Sequence, residues 1–503
     1  MLTDMNNANF NIASSPLFIL LFIQFILLNG VIAQQSLYFG QLEASTGYIS
    51  PDRMPFWLRA NQGGDVPLDK VSMGYKGILR KDYDQQDRKL LDWGLGFEGK
   101  LNLGENSNVM LIEGYGKARL WILELKAGRS RDMMGLADST LSLGAFSVSG
   151  TAPGIPKIEA GIFDFYTLPF LGQMFAFKGN FVHGWFGDTP MRRTGLIKPV
   201  STFFHQKSLY GRFGKENWRL KLYGGFNHQV QWGNEADLYG ADVFKLSLWE
   251  TFLYMFTGKP YGTDIIATSK IGNHLGSIDA GFTYDFENMR IFAYRQFFYD
   301  IGALYYLGNV MDGLNGLTLI NTSSKSKGFR WEKALLEIFY SKNQSGELWS
   351  PITPSGDENY YNNFQFVEGW SYQNMNIGNS LIGTRQYIRE DLPNYPLNHF
   401  INNRIIAFHA GFGGSYRVWD FMLKTTYSLN YGTYGTSEIG HSMGTRRSPP
   451  RHGIFEETTQ FSGYLQVNRS IGQSYSIGVR TAFDNGGLYY NSAGSLLYFS
   501  RNF

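Results

Sequence analysis

The sequence predicts an all-β protein, a transmembrane antiparallel β-barrel. Three observations carry that reading. Long segments alternate apolar and polar residues, the last strand closes on the aromatic Phe503, and the composition is rich in rings and glycine but poor in charge. Aromatic residues make up 16% of the 503 positions, glycine occurs 59 times, and charged residues reach only 17%. Mean hydropathy is −0.23, far from that of a helical membrane protein. A barrel reconciles these values, because each strand is apolar on one face only and the average hides it. The net charge of +3 is close to balance, so no basic surface for nucleic acid stands out. Zero cysteines excludes disulfides, thiolate metal sites and cysteine nucleophiles.

The N-terminus carries one apolar run, Leu17 to Leu28, broken by Gln24. It is too short for a bilayer core that needs ~20 residues. Val31-Ile32-Ala33 before Gln34 reads as a signal-peptidase site, so residues 1–33 are expected to be a signal peptide cleaved after Ala33. Residues 34–503 are then the barrel with its plug segments and long outer loops. No fixed-period repeat or composition break divides them.

Trp218 to Trp232 is the clearest strand. Trp218, Leu220, Leu222, Phe226, Val230 and Trp232 share one face; Arg219, Lys221, Tyr223, Asn227, Gln229 and Gln231 share the other. Tilted about 40°, such a strand projects to roughly 35 Å and brackets an apolar band ~25 Å tall. Ile278 to Phe286, a turn at Glu287-Asn288, and Arg290 to Phe298 read as a hairpin. Trp419 to Tyr431 and Phe461 to Asn468 alternate likewise, with a turn at Ser470 to Gln473. From Tyr475 the outward set is Tyr475, Ile477, Val479 and Phe483. An Asn485-Gly486-Gly487 turn then leads to a final strand over Leu488 to Phe503. A terminal aromatic of this kind is how outer-membrane barrels present themselves to the barrel assembly machinery, an expected partner. Outer-membrane lipid and lipopolysaccharide are the expected surroundings.

Irregular stretches are expected at residues 233–277, 304–330, 347–403 and 432–457. Within the first, Asp242 to Gly258 has helical spacing, with Asp242 as cap and Gly258-Lys259-Pro260 as stop. Its apolar stripe predicts a small helical plug packed inside the barrel.

Catalytic signatures are missing: no G-x-S-x-G, no H-E-x-x-H and no Walker loop occurs. The eight histidines have no ligand spacing, so no metal site and no cofactor is expected. His183 could serve as a base, although a hydrogen-bonded structural histidine is the plainer reading. Trp185, Trp232, Trp370 and Tyr372 lie among amides, glycines and charges. Rings in such company can stack on sugar faces while polar neighbours take the hydroxyls. The same residues also suit an interfacial girdle.

Three stretches together resemble the capsule-assembly Wzi family, in its Bacteroidota branch. The first runs through Ala127-Gly128-Arg129, Gly135-Leu136-Ala137-Asp138-Ser139, Leu141-Ser142-Leu143-Gly144 and Ser149-Gly150-Thr151-Ala152-Pro153 to Ile155-Pro156-Lys157-Ile158. The second is Tyr360-Tyr361-Asn362-Asn363 with Glu368-Gly369-Trp370-Ser371-Tyr372 and Ile377-Gly378; the third is Asn402-Asn403-Arg404-Ile405-Ile406-Ala407-Phe408-His409. The resemblance implies about 18 strands, a helical plug, inward-folded loops, no enzymatic activity and no cofactor. It also implies a lectin-like role, holding exported capsular polysaccharide at the cell surface, and Trp370, Tyr372, Asn403 and Arg404 fall on the matching stretches. Arg501 departs from the expected outward hydrophobe. Two rival readings stay open: an outer-membrane diffusion or carbohydrate channel, and a barrel hydrolase. A filled lumen argues for a closed binder, a continuous polar bore for a channel.

Overall fold

A computed structural model describes residues 37–50, 53–65, 70–84, 89–193, 195–300, 307–323, 328–347, 356–443 and 446–503. The expected leader and its cleavage after Ala33 lie outside the described residues. Eighteen strands form one antiparallel sheet. They are β1 (Tyr38–Ser50), β2 (Val71–Lys81), β3 (Leu91–Leu103), β4 (Asn108–Leu120), β5 (Leu123–Arg129), β6 (Lys157–Thr167), β7 (Phe175–Arg193), β8 (Leu196–Phe213) and β9 (Leu220–Gly233). They continue as β10 (Asn273–Asp285), β11 (Met289–Asp300), β12 (Gly313–Asn321), β13 (Phe329–Tyr340), β14 (Ile405–Tyr416), β15 (Trp419–Asn430), β16 (Thr458–Ile471), β17 (Tyr475–Gly486) and β18 (Ser492–Asn502). Each strand pairs with its neighbours in sequence, and β1 closes the cylinder on β18, from Gln41 opposite Asn502 to Ser50 opposite Ala493. Full closure leaves no unpaired sheet edge, the condition for a sheet in lipid.

The ends of the cylinder differ. The start of β1, the end of β18 and the short turns, such as Arg417-Val418 and residues 472–474, lie at one end. The connections over residues 234–272, 341–404 and 431–457 lie at the other. Short turns mark the periplasmic rim of an outer-membrane barrel and long loops its outer rim.

Period-two alternation sets the two faces. On β9, Leu220, Leu222 and Phe226 point out and are exposed, whereas Lys221, Asn227 and Gln229 point in and are buried. Leu423, Tyr427, Leu465, Phe483, Leu497 and Phe499 continue the outward belt. In water this belt would be a severe cost; in lipid it is the matched surface. Arg501 does face outward, and its guanidinium lies 5.5 Å from the Tyr475 ring centre. The ring shields the cation and lets an arginine stand in an apolar row.

Three sequence expectations are corrected. The helix within Asp242–Gly258 forms as Leu248–Thr257, capped by Ser247 with a reciprocal Glu250 box, but it is not a plug. With α1 (Phe56–Arg59) and α2 (Glu235–Tyr239) preceding it, it is α3. It packs on the outside of the wall, because its partners Phe203, Val230 and Trp232 belong to the outward faces of β8 and β9. The stretch 304–330 holds a strand, β12. Its alternation is weak because inward Leu314 is as apolar as outward Leu317. Finally, β17 runs on through Gly486, and Leu488 and Tyr489 leave the wall to enter the interior.

Gly128, at the end of β5, has φ +129°, and a Cβ there would strike the Gly114 carbonyl of β4. Gly128→Ala is expected to cost about 1–3 kcal/mol, read as an earlier loss of the heat-resistant folded band on electrophoresis.

Candidate functional site: a plugged lumen

The lumen is filled at its long-loop end. Three inserted segments meet there: α1 with its flanks, residues 130–156 between β5 and β6, and residues 356–404 before β14. Phe56, Leu143, Phe146, Tyr360, Tyr361, Trp370, Ile382 and Phe400 form one buried core with inward Phe298, Leu314 and Phe339 of the wall. Phe146 stacks on Phe298 with centroids 4.2 Å apart. The segments are also stitched together. Ser149 N donates to Ile377 O at 3.0 Å, Ala152 N to Asn376 O at 3.0 Å, and Trp370 Nε1 to Ser147 O at 2.7 Å.

Loops inside a barrel must satisfy their backbone groups without bulk water. The wall supplies the partners. Glu337 of β13 accepts from Leu143 N at 2.7 Å, Ser142 Oγ at 2.6 Å and Tyr294 Oη at 2.5 Å. Asp279 of β10 accepts from Leu136 N at 2.7 Å and Tyr210 Oη at 3.0 Å. Asp484 of β17 accepts from Phe56 N at 2.8 Å. His409 of β14 donates from Nε2 to Leu141 O at 2.7 Å and accepts at Nδ1 from Thr426 Oγ1 at 2.9 Å. Polar residues of the inner wall thus hold the plug by its main chain.

Most of the residues nominated for sugar contact are buried in this structure. Trp370 has no exposed surface. Tyr372 is buried, and its hydroxyl accepts from Arg129 Nη2 at 3.1 Å. Asn403 donates to Tyr360 O at 2.9 Å and accepts from Gln344 Nε2 at 3.1 Å. Arg404 donates from Nε to Lys342 O at 3.1 Å and lies over the Tyr434 ring. Trp232 is covered by α3, and Trp185 faces outward at 41% exposure, in girdle position. The six do not converge on one surface, and five of them are buried. His183, the candidate base, also faces outward, among the rings of Trp185, Phe203 and Trp232.

Two features that sequence reasoning missed are better placed to meet ligands. On the long-loop crown, Phe364 is 66% exposed, with Arg192 Nη1 donating to its carbonyl at 3.4 Å. Elsewhere, the guanidiniums of Arg53 and Arg389 lie 5.1 and 5.4 Å from the centre of the Tyr490 ring, with Glu390 bound to Arg53 at 2.9 Å. Inside the barrel, beneath residues 131–136 of the plug, a cavity of about 270 Å³ is lined by Lys126, Arg131, Asp132, Glu159, Lys178 and Tyr210, among others. Its wall belongs to an ionic strip running round β1 to β6 and β17. Arg480 and Lys76 flank Glu43 at 2.9 and 3.6 Å, Arg80 meets Glu113 at 2.8 Å, Arg131 pairs with Glu98, and Lys126 meets Glu159 at 2.8 Å. Spacing in the sequence could not reveal the strip, because its members sit on strands far apart in the chain.

Two loop carboxyls are perturbed. Burial pushes Glu235 of α2 up to about 8, since neither oxygen has a side-chain partner. Burial likewise raises Asp312 to about 6, against the opposing hydrogen bonds from Tyr360 Oη and the amides of Gln344 and Asn343.

No family model and no curated protein matches the chain. Solved structures similar to it include three Pseudomonas aeruginosa proteins. OccK3 (OpdO) is 10% identical with a TM-score of 0.41, covering 93% of this chain and 95% of that one. OpdK, crystallised with vanillate, is 10% identical at 0.44, covering 93% and 98%. The outer membrane protein OprD is 11% identical at 0.44, covering 93% and 94%. At these scores the likeness carries no argument about what this chain binds.

Glu337→Ala leaves three plug and wall donors without an acceptor. We expect a loss of about 1–3 kcal/mol and new protease cleavage within residues 130–156. Glu235 binds its proton more tightly folded than unfolded, so stability falls as pH rises from 4.5 to about 8. Glu235→Gln should flatten that slope in thermal unfolding followed across this range.

Proposed function

We propose that the protein is an outer-membrane barrel closed at its outer end, which acts through its loop crown as a binder of surface polysaccharide. One observation carries the closed half of this reading: the lumen beneath the crown is packed with a hydrogen-bonded, ring-rich core instead of a polar bore. A core with Phe146, Tyr360, Tyr361 and Trp370 fully buried is a folded interior, and such interiors hold one arrangement. The polysaccharide half rests on the resemblance of the plug stretches to the capsule-assembly family and on the chemistry of the crown. Phe364 offers an exposed ring, and Arg53, Glu390, Asn374 and Gln386 offer hydrogen-bonding groups around the rim. Weak contacts repeated along a polymer sum to firm retention.

A second reading has its own support. The ionic strip and the cavity below the plug would suit a selective channel for small polar solutes, opened when residues 130–156 move aside. The two readings separate in planar bilayers. The binder predicts no steady conductance from the native protein, retention of polysaccharide on the purified barrel, and loss of that retention by several-fold in Phe364→Ala. Steady single-channel steps from the native protein, with no glycan captured, would favour the channel.

A further inference from the structure

The outer wall of β7 to β10 departs from a plain lipid-facing surface. His183, His205, Lys207, His228 and His274 all occupy outward positions there, in the same rows as Phe181, Leu209 and Phe226. Charged and imidazole groups in such rows are costly in lipid. Helix α3 lies over His205 and Lys207 in this patch and offsets their cost. Phe252 and Phe256 place their ring centres 6.0 and 5.6 Å from that of His205. Lys207 Nζ donates to the Phe256 carbonyl at 2.9 Å, a cation at the end of a helix where unpaired carbonyls concentrate negative charge. His228 Nε2 and His274 Nδ1 lie 3.0 Å apart, and His274 Nε2 donates to Ile271 O at 2.7 Å.

Register fixes how deep the helix reaches. Phe256, in its last turn, is level with Lys207, which pairs with His228. Two residues further down, ~7 Å along the strands, Leu209 pairs with Phe226, and both are exposed members of the lipid belt. The helix therefore descends along the wall until it abuts that belt. Its face away from the wall carries Trp249 at 66% exposure and Leu253 at 39%, with Leu248 exposed at the entry. Glu250 and Thr257 follow at the edge of this face, giving an apolar flank and a polar flank on one short helix.

We infer that α3 is a lipid-docking element: acyl chains of the outer leaflet cover Leu248, Trp249 and Leu253, and the helix shields the basic patch on β8 to β10 from them. The apolar flank is continuous with the belt already assigned to lipid, and its tryptophan sits where amphipathic rings favour the membrane interface. The element fixes the rotational setting and height of the barrel in the outer leaflet on one side only.

The chain has no cysteine, so a single introduced thiol gives a unique spin-label site. Full-length Trp249→Cys and Leu253→Cys would be labelled and reconstituted in vesicles of phosphatidylethanolamine and phosphatidylglycerol. Phe226→Cys serves as the lipid reference and Asp264→Cys, in the exposed part of the same loop, as the water reference. Power saturation should give oxygen accessibility exceeding nickel-chelate accessibility at 249 and 253 by about the factor seen at 226. Nickel-favoured values like those at 264 would overturn the inference. So would low accessibility to both reagents, the mark of a second copy or another protein over the helix. Retained heat-modifiable mobility on electrophoresis verifies that each variant is folded.

Discussion

Everything inside this barrel depends on carboxyl groups of the wall accepting from the main chain of inserted loops. A cylinder of eighteen strands encloses more space than its own inward side chains fill, so something must occupy it or water must. Here inserted chain occupies it. A loop brought into that space loses its water and must find new acceptors for its N–H groups, at a cost of about 1–3 kcal/mol for each left unmet. Glu337, Asp279 and Asp484 stand where Leu143, Leu136 and Phe56 need them. Once the main chain is held, the rings of Phe146, Trp370 and Phe400 pack between the wall and one another.

The interior is divided in character as a result. Towards the long loops, β11 to β13 turn apolar residues inward, because the plug covers them. Around β1 to β6 the inner wall is ionic, and Glu43, Glu98, Glu113 and Glu159 there lie against lysine or arginine. Such pairs do little for stability on balance, since their desolvation offsets their attraction.

The lipid-facing half of the fold is legible in the sequence because lipid imposes strict alternation: β9, β15 and β17 are visible as Trp218-to-Trp232, Trp419-to-Tyr431 and Tyr475-to-Phe483 patterns. The interior is not. Strand β12 was hidden because its inward Leu314 packs on the plug, which erases the polar half of the pattern. Helix α3 was visible as a helix, but its stripe gave no sign of which side of the wall it would meet. Burial explains the fate of the nominated sugar contacts. Trp370 and Asn403 have ring and amide chemistry equally suited to a glycan or to a core, and only the third dimension reveals that Ser147 and Tyr360 are their partners. The stretches resembling the capsule-assembly family are largely those that build the plug, so the resemblance reports chiefly on how the lumen is filled.

The contact between Phe56 and Tyr489, parallel rings 6.0 Å apart, joins the first loop of the chain to the last. Synthesis delivers these rings more than four hundred residues apart, and Tyr489 leaves the ribosome just ahead of the strand that seals the seam with β1. Completion of the interior and completion of the cylinder are therefore one event. Until Tyr489 and β18 are in place, the fold has both an open sheet edge at β1 and an unfinished core.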